Sequence, residues 1–267
     1  MQAIDAGLAA LLRRDRLTVV AALLIVTLLA WAYVLWLAAA DDMAGMDMRG
    51  MAGAMAPAIK SWAPADFAFM FAMWSVMMVG MMTPSVAPMV LLYAGVGRKA
   101  SESGSPIAST GWFFAGYLIV WIAFSAMATI AQWALTALAL LTPMMATSSA
   151  VLGGSVLIAV GLYQWTPLKE TCLRSCQAPL AFLMSHGGFR DKPLGALRLG
   201  MAHGAYCLGC CFALMALLFV GGIMNVLWIA GLTILVLLEK IVPAGWLIPR
   251  IFGALIGAAG LWLLVQG

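Results

Sequence analysis

Long stretches of this chain carry no charged side chain, and they restrict its possible folds more than any other feature. The first extends from Leu17 to Ala40, which as a helix is long enough to cross about 30 Å of hydrocarbon. Of all 267 residues, 65% are hydrophobic and only 9% are charged, so there is too little polar surface to cover a water-soluble globule. The sequence therefore predicts an all-α, polytopic bundle of transmembrane helices.

About seven predicted spans follow one another along the chain. They cover residues 17–40, 67–97, 111–135, 151–164, 194–220, 224–238 and 246–265. Pro84 and Pro88 interrupt the second span and remove backbone donors, so we expect a kink or a break there. This span, or the short sixth one, can also be interpreted as a re-entrant segment. In the last span Gly253, Gly257 and Gly260 predict the close approach of a neighbouring helix.

The basic residues predict how the chain is oriented in the membrane. If the amino terminus lies in the cytoplasm, Arg49 and Lys60 are the only two of the 14 Lys and Arg residues on the outside. The chain then divides into an amino-terminal tail and anchor (1–40), an extracytoplasmic methionine-rich loop (41–66) and a metal-binding helical domain (67–267) with a cytoplasmic loop at 165–197. The net charge of +4 follows from this topology and gives no reason to expect nucleic acid as a partner.

Three cysteines and a histidine share one face of the fifth predicted span. His203, Cys207, Cys210 and Cys211 fall within about 100° of arc on a helix. Thiolates are soft ligands that suit Cu(I) and Zn(II). A single buried cysteine usually packs as a small hydrophobic residue, but three thiols beside an imidazole are typical of a metal-binding face.

A second pair of cysteines lies in the predicted cytoplasmic loop. Thr166 and Pro167 can start a helix in which Cys172 and Cys176 lie one turn apart on one face. This loop helix can fold back onto the start of the fifth span, where the two groups of thiols would meet. We expect a four-thiolate site of Cys172, Cys176, Cys207 and Cys210, with Cys211 and His203 as alternative ligands.

Methionine is enriched in two places, and thioethers are neutral ligands for Cu(I). In the predicted outer loop, an M-x-x-M-x-M spacing is similar to the methionine motifs of periplasmic copper-handling proteins. The loop contains Met43, Met46, Met48, Met51 and Met55. In the second span, one helix face carries Met70, Met73, Met77 and Met81, of which we select Met77 and Met81 as candidate ligands. The alternatives are a linker with incidental methionines and ordinary packing of a methionine stripe.

Four segments of the chain resemble the signature blocks of a known family. They are MWSVMMVGMMTPSVAPMVLLYA, YQWTPLKETCLRSCQAPL, GMAHGAYCLGCCFALMALLFVGGIMN and LLEKIVPAG. The family is a bacterial one of uncharacterised polytopic proteins, catalogued as predicted metal-binding integral membrane proteins. The resemblance extends from about Phe67 to Gly245. It implies that the five cysteines and His203 are metal residues and that the chain is a multi-pass protein of the bacterial inner membrane.

These features together predict a membrane protein that binds a soft metal ion, Cu(I) rather than Zn(II), for the sensing, storage, transfer or passage of copper. Its expected partners are the lipid bilayer, the metal ion and another membrane or periplasmic protein. Two alternatives stay open: a structural subunit with a Zn(II)–thiolate site, and a thiol-disulfide oxidoreductase in which Cys172/Cys176 exchanges with Cys207/Cys210. Glu239, at the inner end of the sixth span, is predicted to be a boundary residue in contact with solvent, with a proton carrier as the alternative.

Overall fold

The computed structural model describes residues 2–51, 62–102, 108–142, 145–242 and 247–266. In these ranges the chain is helical apart from connecting turns and an isolated bridge between Leu141 and Thr147. The all-α class predicted from the sequence is therefore confirmed. In chain order the helices are α1 (Gln2–Met51), α2 (Pro64–Glu102), α3 (Thr110–Ala137), α4 (Ala150–Tyr163), α5 (Pro167–Gln177), α6 (Pro179–Ser185), α7 (Pro193–Ala216), α8 (Leu218–Gly221), α9 (Val226–Ile241) and α10 (Leu247–Gln266).

Within the described ranges, five segments are long and apolar enough to cross a membrane. A sixth arises if α4 and α5, which meet at a bend of 64°, are counted together. The predicted count of seven is not reached because α4 has 14 residues and α9 has 16, fewer than the roughly 20 that a straight span needs. The orientation of the amino terminus stays a prediction. The five segments are Arg16–Ala40, Pro64–Ala100, Thr110–Ala137, Pro193–Gly221 and Leu247–Gln266.

The two prolines of α2 do not break this helix. The helix continues from Pro64 to Glu102 with Pro84 and Pro88 inside it, so the chain does not break there, and the alternative of a kink stays a prediction. Each proline removes only its own N–H from the ladder. α2 packs against both α1 and α3, and these neighbours support the helix where the two donors are lost.

Glycines allow two pairs of helices to touch backbone to backbone. In the pair of α3 and α7, a Cβ atom added at Gly116 or Gly200 would overlap a backbone oxygen of the opposite helix. In the pair of α4 and α10, a Cβ at Gly260 would lie 2.8 Å from the backbone oxygen of Gly154, and one at Gly253 would lie 2.9 Å from that of Gly161. The close approach predicted from the glycines of the last span is therefore confirmed.

The first helix extends beyond its predicted end. α1 continues to Met51, so the first part of the predicted methionine-rich loop, residues 41–51, is helical. Met43, Met46, Met48 and Met51 lie in this part, whose side chains are outside the described structure, and Met55 lies outside the described residues altogether. The role of these methionines and the boundaries of the three predicted regions therefore stay predictions.

Candidate metal centre

The two cysteine-bearing helices, α5 and α7, pack against each other. The start of α5 follows the sequence prediction: the Thr166 side chain accepts a hydrogen bond from the backbone N–H of Lys169, and Pro167 occupies the first turn. The chain then turns through α6 and returns as α7. This fold-back brings the thiol of Cys176 on α5 to those of Cys207 and Cys210 on α7.

Four of the five cysteines form one cluster, which we call the thiol cluster: Cys176, Cys207, Cys210 and Cys211. The thiol of Cys207 is within hydrogen-bonding reach of the thiols of the other three. The thiols of Cys210 and Cys211 also reach each other, and each donates to the backbone oxygen of Cys207 over 3.0 Å. The three cysteines of α7 are buried, whereas Cys176 is half-buried, and all are free thiols.

Cys172 lies at the edge of the thiol cluster. Its sulfur packs against Gly209, where an added Cβ would lie 2.7 Å away. The oxygen of Gly209 also accepts a hydrogen bond of 2.5 Å from the Tyr163 hydroxyl, so Cys172 faces the side of α7 that contacts α4. Cys211 therefore takes the place beside Cys207 that was predicted for Cys172, because α5 presents Cys176, and not Cys172, to Cys207.

Cys207 is the centre of a buried polar group drawn from several helices. The ammonium of Lys240 on α9 donates to the Cys207 sulfur over 2.8 Å and to the Ser85 hydroxyl of α2 over 3.1 Å. The Tyr117 hydroxyl of α3 lies 3.1 Å from the same sulfur. Only 7% of Lys240 is exposed, so its charge faces the thiol cluster and not solvent. A cation is thus already in contact with the sulfur that the sequence predicts as a metal ligand.

A buried ion pair fixes α5 beside this group. Lys169 of α5 and Glu239 of α9 meet over 2.7 Å, and both side chains are 1% exposed. The Gln164 amide also donates to the Glu239 carboxylate over 3.2 Å, and the Gln177 amide donates to the Glu239 backbone oxygen over 2.7 Å. The prediction that solvent holds Glu239 is wrong, because two side chains, Lys169 and Gln164, take the place of water at its carboxylate.

His203 lies one turn before Cys207 on α7 and is buried among aromatic rings. Its ring centroid is 4.9 Å from that of Phe182, 5.9 Å from that of Phe113 and 6.1 Å from that of Tyr117. Its Nδ1 atom is buried without a hydrogen-bond partner. Buried polar atoms are normally paired, but this nitrogen is an unpaired donor or acceptor beside the thiol cluster.

The predicted methionine ligands lie in the same core. Met77 and Met81 of α2 are buried in the hydrophobic core that also contains the cysteines of α7. One residue further on, the backbone oxygen of Met82 accepts a hydrogen bond of 3.2 Å from the Tyr117 hydroxyl. Tyr117 therefore connects the methionine-rich helix with Cys207. Neither methionine is brought to the sulfur of a cysteine by the contacts described, and their role as ligands stays a prediction.

In the described part of the chain, no group of three or more His, Cys, Asp and Glu side chains is arranged to hold a metal ion. In the thiol cluster, Cys210 and Cys211 donate to a backbone oxygen, and Lys240 contacts Cys207. A metal ion bound here would have to replace these contacts. The cluster therefore brings soft ligands together without setting them in a coordination geometry.

Sequence reasoning did not identify the polar partners of Cys207. Tyr117 looks like an ordinary residue of an apolar span, and its separation of 90 residues from Cys207 hides the contact. Ser85 joins the group through Lys240, 155 residues away. One signal was present: Glu239 and Lys240 are adjacent charges at the end of an apolar stretch. Charges inside or beside apolar helices are costly unless they are paired, and this cost could have pointed to a buried role.

Comparison with known proteins gives one family. A family model named PpoB2 and described as "Copper chaperone" matches residues 71–263, most of the chain and all of its cysteines. No curated protein and no solved structure matches the chain. The family has a copper-related name, which agrees with the metal-binding family that the sequence segments resemble. The chain belongs to the PpoB2 copper chaperone family.

Proposed function

We propose that this protein is a membrane copper chaperone that carries Cu(I) on the thiol cluster and transfers it to a partner protein. The observation that supports this most is the contact of the Lys240 ammonium with the Cys207 sulfur, inside a group of four thiols. A buried positive charge against sulfur shows that this position tolerates a cation. The name of the family and the softness of the ligands both favour copper.

The contacts within the thiol cluster indicate how Cu(I) would bind there. Cu(I) takes the place of the Lys240 ammonium at Cys207 and recruits the thiol of Cys176, Cys210 or Cys211 as a further ligand. Thiols must lose their protons to ligate, so the protons that Cys210 and Cys211 now donate to the Cys207 backbone oxygen are released when they bind. Lys240 has a second acceptor, Ser85, with which it can stay bonded.

The fixed position of α5 favours transferable copper over a structural ion. A structural zinc would hold the loop helix in place, but α5 is already held by the Lys169–Glu239 pair and by Gln177. The four thiols do match the ligand count of a structural Zn(II) site, so zinc remains the second candidate. Metal removal separates the two: a structural zinc site unfolds around α5 on chelation, whereas a chaperone keeps its fold.

The half-buried Cys176 is our candidate for the ligand that first receives or last releases the ion. The other three thiols are on α7, and Cys176 is the member of the cluster that α5 contributes, so we expect a partner to approach from the side of α5. We place the protein in the bacterial inner membrane, with five or six spans and the amino terminus in the cytoplasm. The partner is another membrane protein or a periplasmic protein that accepts Cu(I).

Single cysteine variants test the proposed site. Purified full-length protein in detergent is titrated with Cu(I) against a chromogenic Cu(I) chelator. We expect Cys207→Ser and Cys176→Ser each to lower the affinity at least tenfold, about 1.4 kcal/mol. Cys172→Ser, on the same helix as Cys176 and one turn away, is the matched control and should change it by less than about threefold. Equal losses at Cys172 and Cys176 would instead support the ligand set predicted from the sequence.

Alkylation of the thiols in cells separates the proposal from the oxidoreductase alternative. A copper site keeps its cysteines reduced and protects them until a chelator is added. An oxidoreductase would show a reversible disulfide between Cys176 and a cysteine of α7. Finding that disulfide in untreated cells would contradict the chaperone proposal.

A further inference from the structure

A glutamine is buried in α3, the helix that also carries Tyr117. Gln132 of α3 is 1% exposed. Its side-chain oxygen accepts a hydrogen bond of 2.7 Å from the indole N–H of Trp74 on α2. Its amide nitrogen donates to two thioethers, to the sulfur of Met145 over 3.1 Å and to that of Met70 over 3.6 Å.

Two thioether sulfurs are unfavourable hydrogen-bond partners for a buried amide nitrogen. Thioether sulfur is only a weak acceptor, and an amide taken out of water needs good partners to offset its desolvation. Two sulfurs that converge on one atom are better suited to a soft cation, which binds thioethers strongly and needs no formal negative charge. The amide nitrogen of Gln132 occupies the position between the two sulfurs where such an ion would lie.

The backbone at Met145 gives a second, independent reason. Its φ angle is +57°, in the left-handed region that most side chains avoid. The turn around it is fixed by backbone hydrogen bonds from Met145 to Thr142 over 2.8 Å and from Thr147 to Phe219 of α8 over 2.8 Å. Glycine or asparagine would suit this conformation better. Met145 has a strained backbone, and its sulfur contacts the buried amide of Gln132. This combination is more consistent with a metal ligand than with a residue that only connects two helices.

The two methionines are accessible as well as convergent. Met70 and Met145 are both half-buried, whereas Gln132 and Trp74 beneath them are buried. Met70 lies twelve residues before Met82 on α2, about 18 Å along the helix axis. Met82 is the residue whose backbone oxygen is bonded to Tyr117 beside Cys207. The sulfur pair is therefore separate from the thiol cluster and lies toward the amino-terminal end of α2.

We propose that Met70 and Met145 form a second soft-metal site, for a monovalent ion such as Cu(I) or Ag(I), from which Gln132 withdraws its amide when the ion binds. The assignment of copper as the natural ion rests on the proposed function. Between the two sites α2 carries the buried thioethers of Met73, Met77 and Met81. The second site is then the point at which an ion enters or leaves the bundle on the side away from the thiols.

Silver binding tests the second site, because Ag(I) is soft, monovalent and not redox-active. Titration of the full-length protein should show at least a tenfold loss of affinity for one Ag(I) in Met145→Leu and in Met70→Leu. Met145→Gly is the decisive variant: glycine accepts the positive φ angle, so the turn persists while the sulfur is lost. Met127→Leu, on α3 like Gln132 but with its methionine 56% exposed, is the matched control and should behave as the unmodified protein.

The outcomes separate this proposal from the proposed function. Full silver binding in both Met145→Gly and Met145→Leu would overturn the second site and leave the thiol cluster untouched. Loss of one ion in the methionine variants, with a second ion lost only in Cys207→Ser, would support both. If Cys207→Ser binds as many ions as the unmodified protein while Met145→Gly binds one fewer, the second site stands and the proposed function fails.

Discussion

The two sulfur-rich regions of this bundle differ in how they keep polar groups inside an apolar core. Around Cys207 the polar groups are charged and strongly paired: Lys240 contacts the sulfur, and Lys169 is bonded to Glu239. Around Gln132 they are neutral, and an amide is bonded to two thioethers. The first region can exchange one cation for another, while the second can accept a soft cation without any compensating charge.

This contrast implies that the two regions bind a soft metal ion with different affinities and serve different tasks. Thiolates bind Cu(I) with the help of their negative charge, and thioethers only through the softness of sulfur. We therefore expect tight binding at the thiol cluster and weaker, more readily reversed binding at Met70 and Met145. An ion that moves along α2 toward Cys207 would move toward higher affinity.

The largest expected effect concerns the ion pair that belongs only to the thiol region. Glu239→Leu leaves Lys169 buried without its partner and should destabilise the protein by about 3–5 kcal/mol. The double variant Lys169→Met, Glu239→Leu removes both charges and should recover much of this loss. Thermal unfolding in detergent measures both variants. A single variant as stable as the unmodified protein would show that the pair does not hold α5 against α9.

The second prediction concerns how the metal affinity of each site depends on pH. The thiols of Cys210 and Cys211 carry protons that a metal ion must displace, so affinity at the thiol cluster should fall as pH falls, by about tenfold per pH unit for each proton released. Thioethers carry no proton, so Ag(I) binding that depends on Met145 should not change. Titrations at two pH values, with Cys207→Ser and Met145→Gly to isolate each site, measure the difference. The same pH dependence at both sites would remove the distinction between them.

The smallest expected effect concerns the hydroxyl that joins α2, α3 and α7. Tyr117→Phe removes hydrogen bonds to the Met82 backbone oxygen and to the Cys207 sulfur, and should cost about 0.5–1.5 kcal/mol of stability. It should also weaken Cu(I) binding slightly, because Cys207 is then less firmly positioned. Tyr33→Phe, on the outer helix α1, is the control. Equal effects of the two substitutions on unfolding would show that the Tyr117 hydroxyl contributes nothing specific.

The sequence predicted the helical class and the convergence of α5 on α7, because both follow from local signals. Apolar runs specify helices of known length, and Thr166 with Pro167 marks the start of α5. The predicted count of seven spans was not confirmed, because α4 and α9 are apolar but short, and hydropathy does not reveal how such helices pack.

The arrangement within the site depended on long-range packing and was less predictable. The sequence placed Cys172 and Cys176 on one face of a helix, but only the docking of α5 decides that Cys176 joins the thiol cluster and Cys172 lies against Gly209. The approach of α3 to α7 at Gly116 and Gly200 brings Tyr117 to Cys207. The Met70–Gln132–Met145 group depends on one strained turn, and no periodic pattern marks it.

X-ray absorption at the copper edge tests the central claim, that Cu(I) binds at the thiol cluster, most directly. The full-length protein is loaded with one Cu(I) per chain and compared with Cys207→Ser and Met145→Leu loaded in the same way. We expect a copper site with sulfur ligands alone, changed by Cys207→Ser and unchanged by Met145→Leu. A spectrum dominated by nitrogen or oxygen ligands, or one that Cys207→Ser leaves unchanged, would contradict the account.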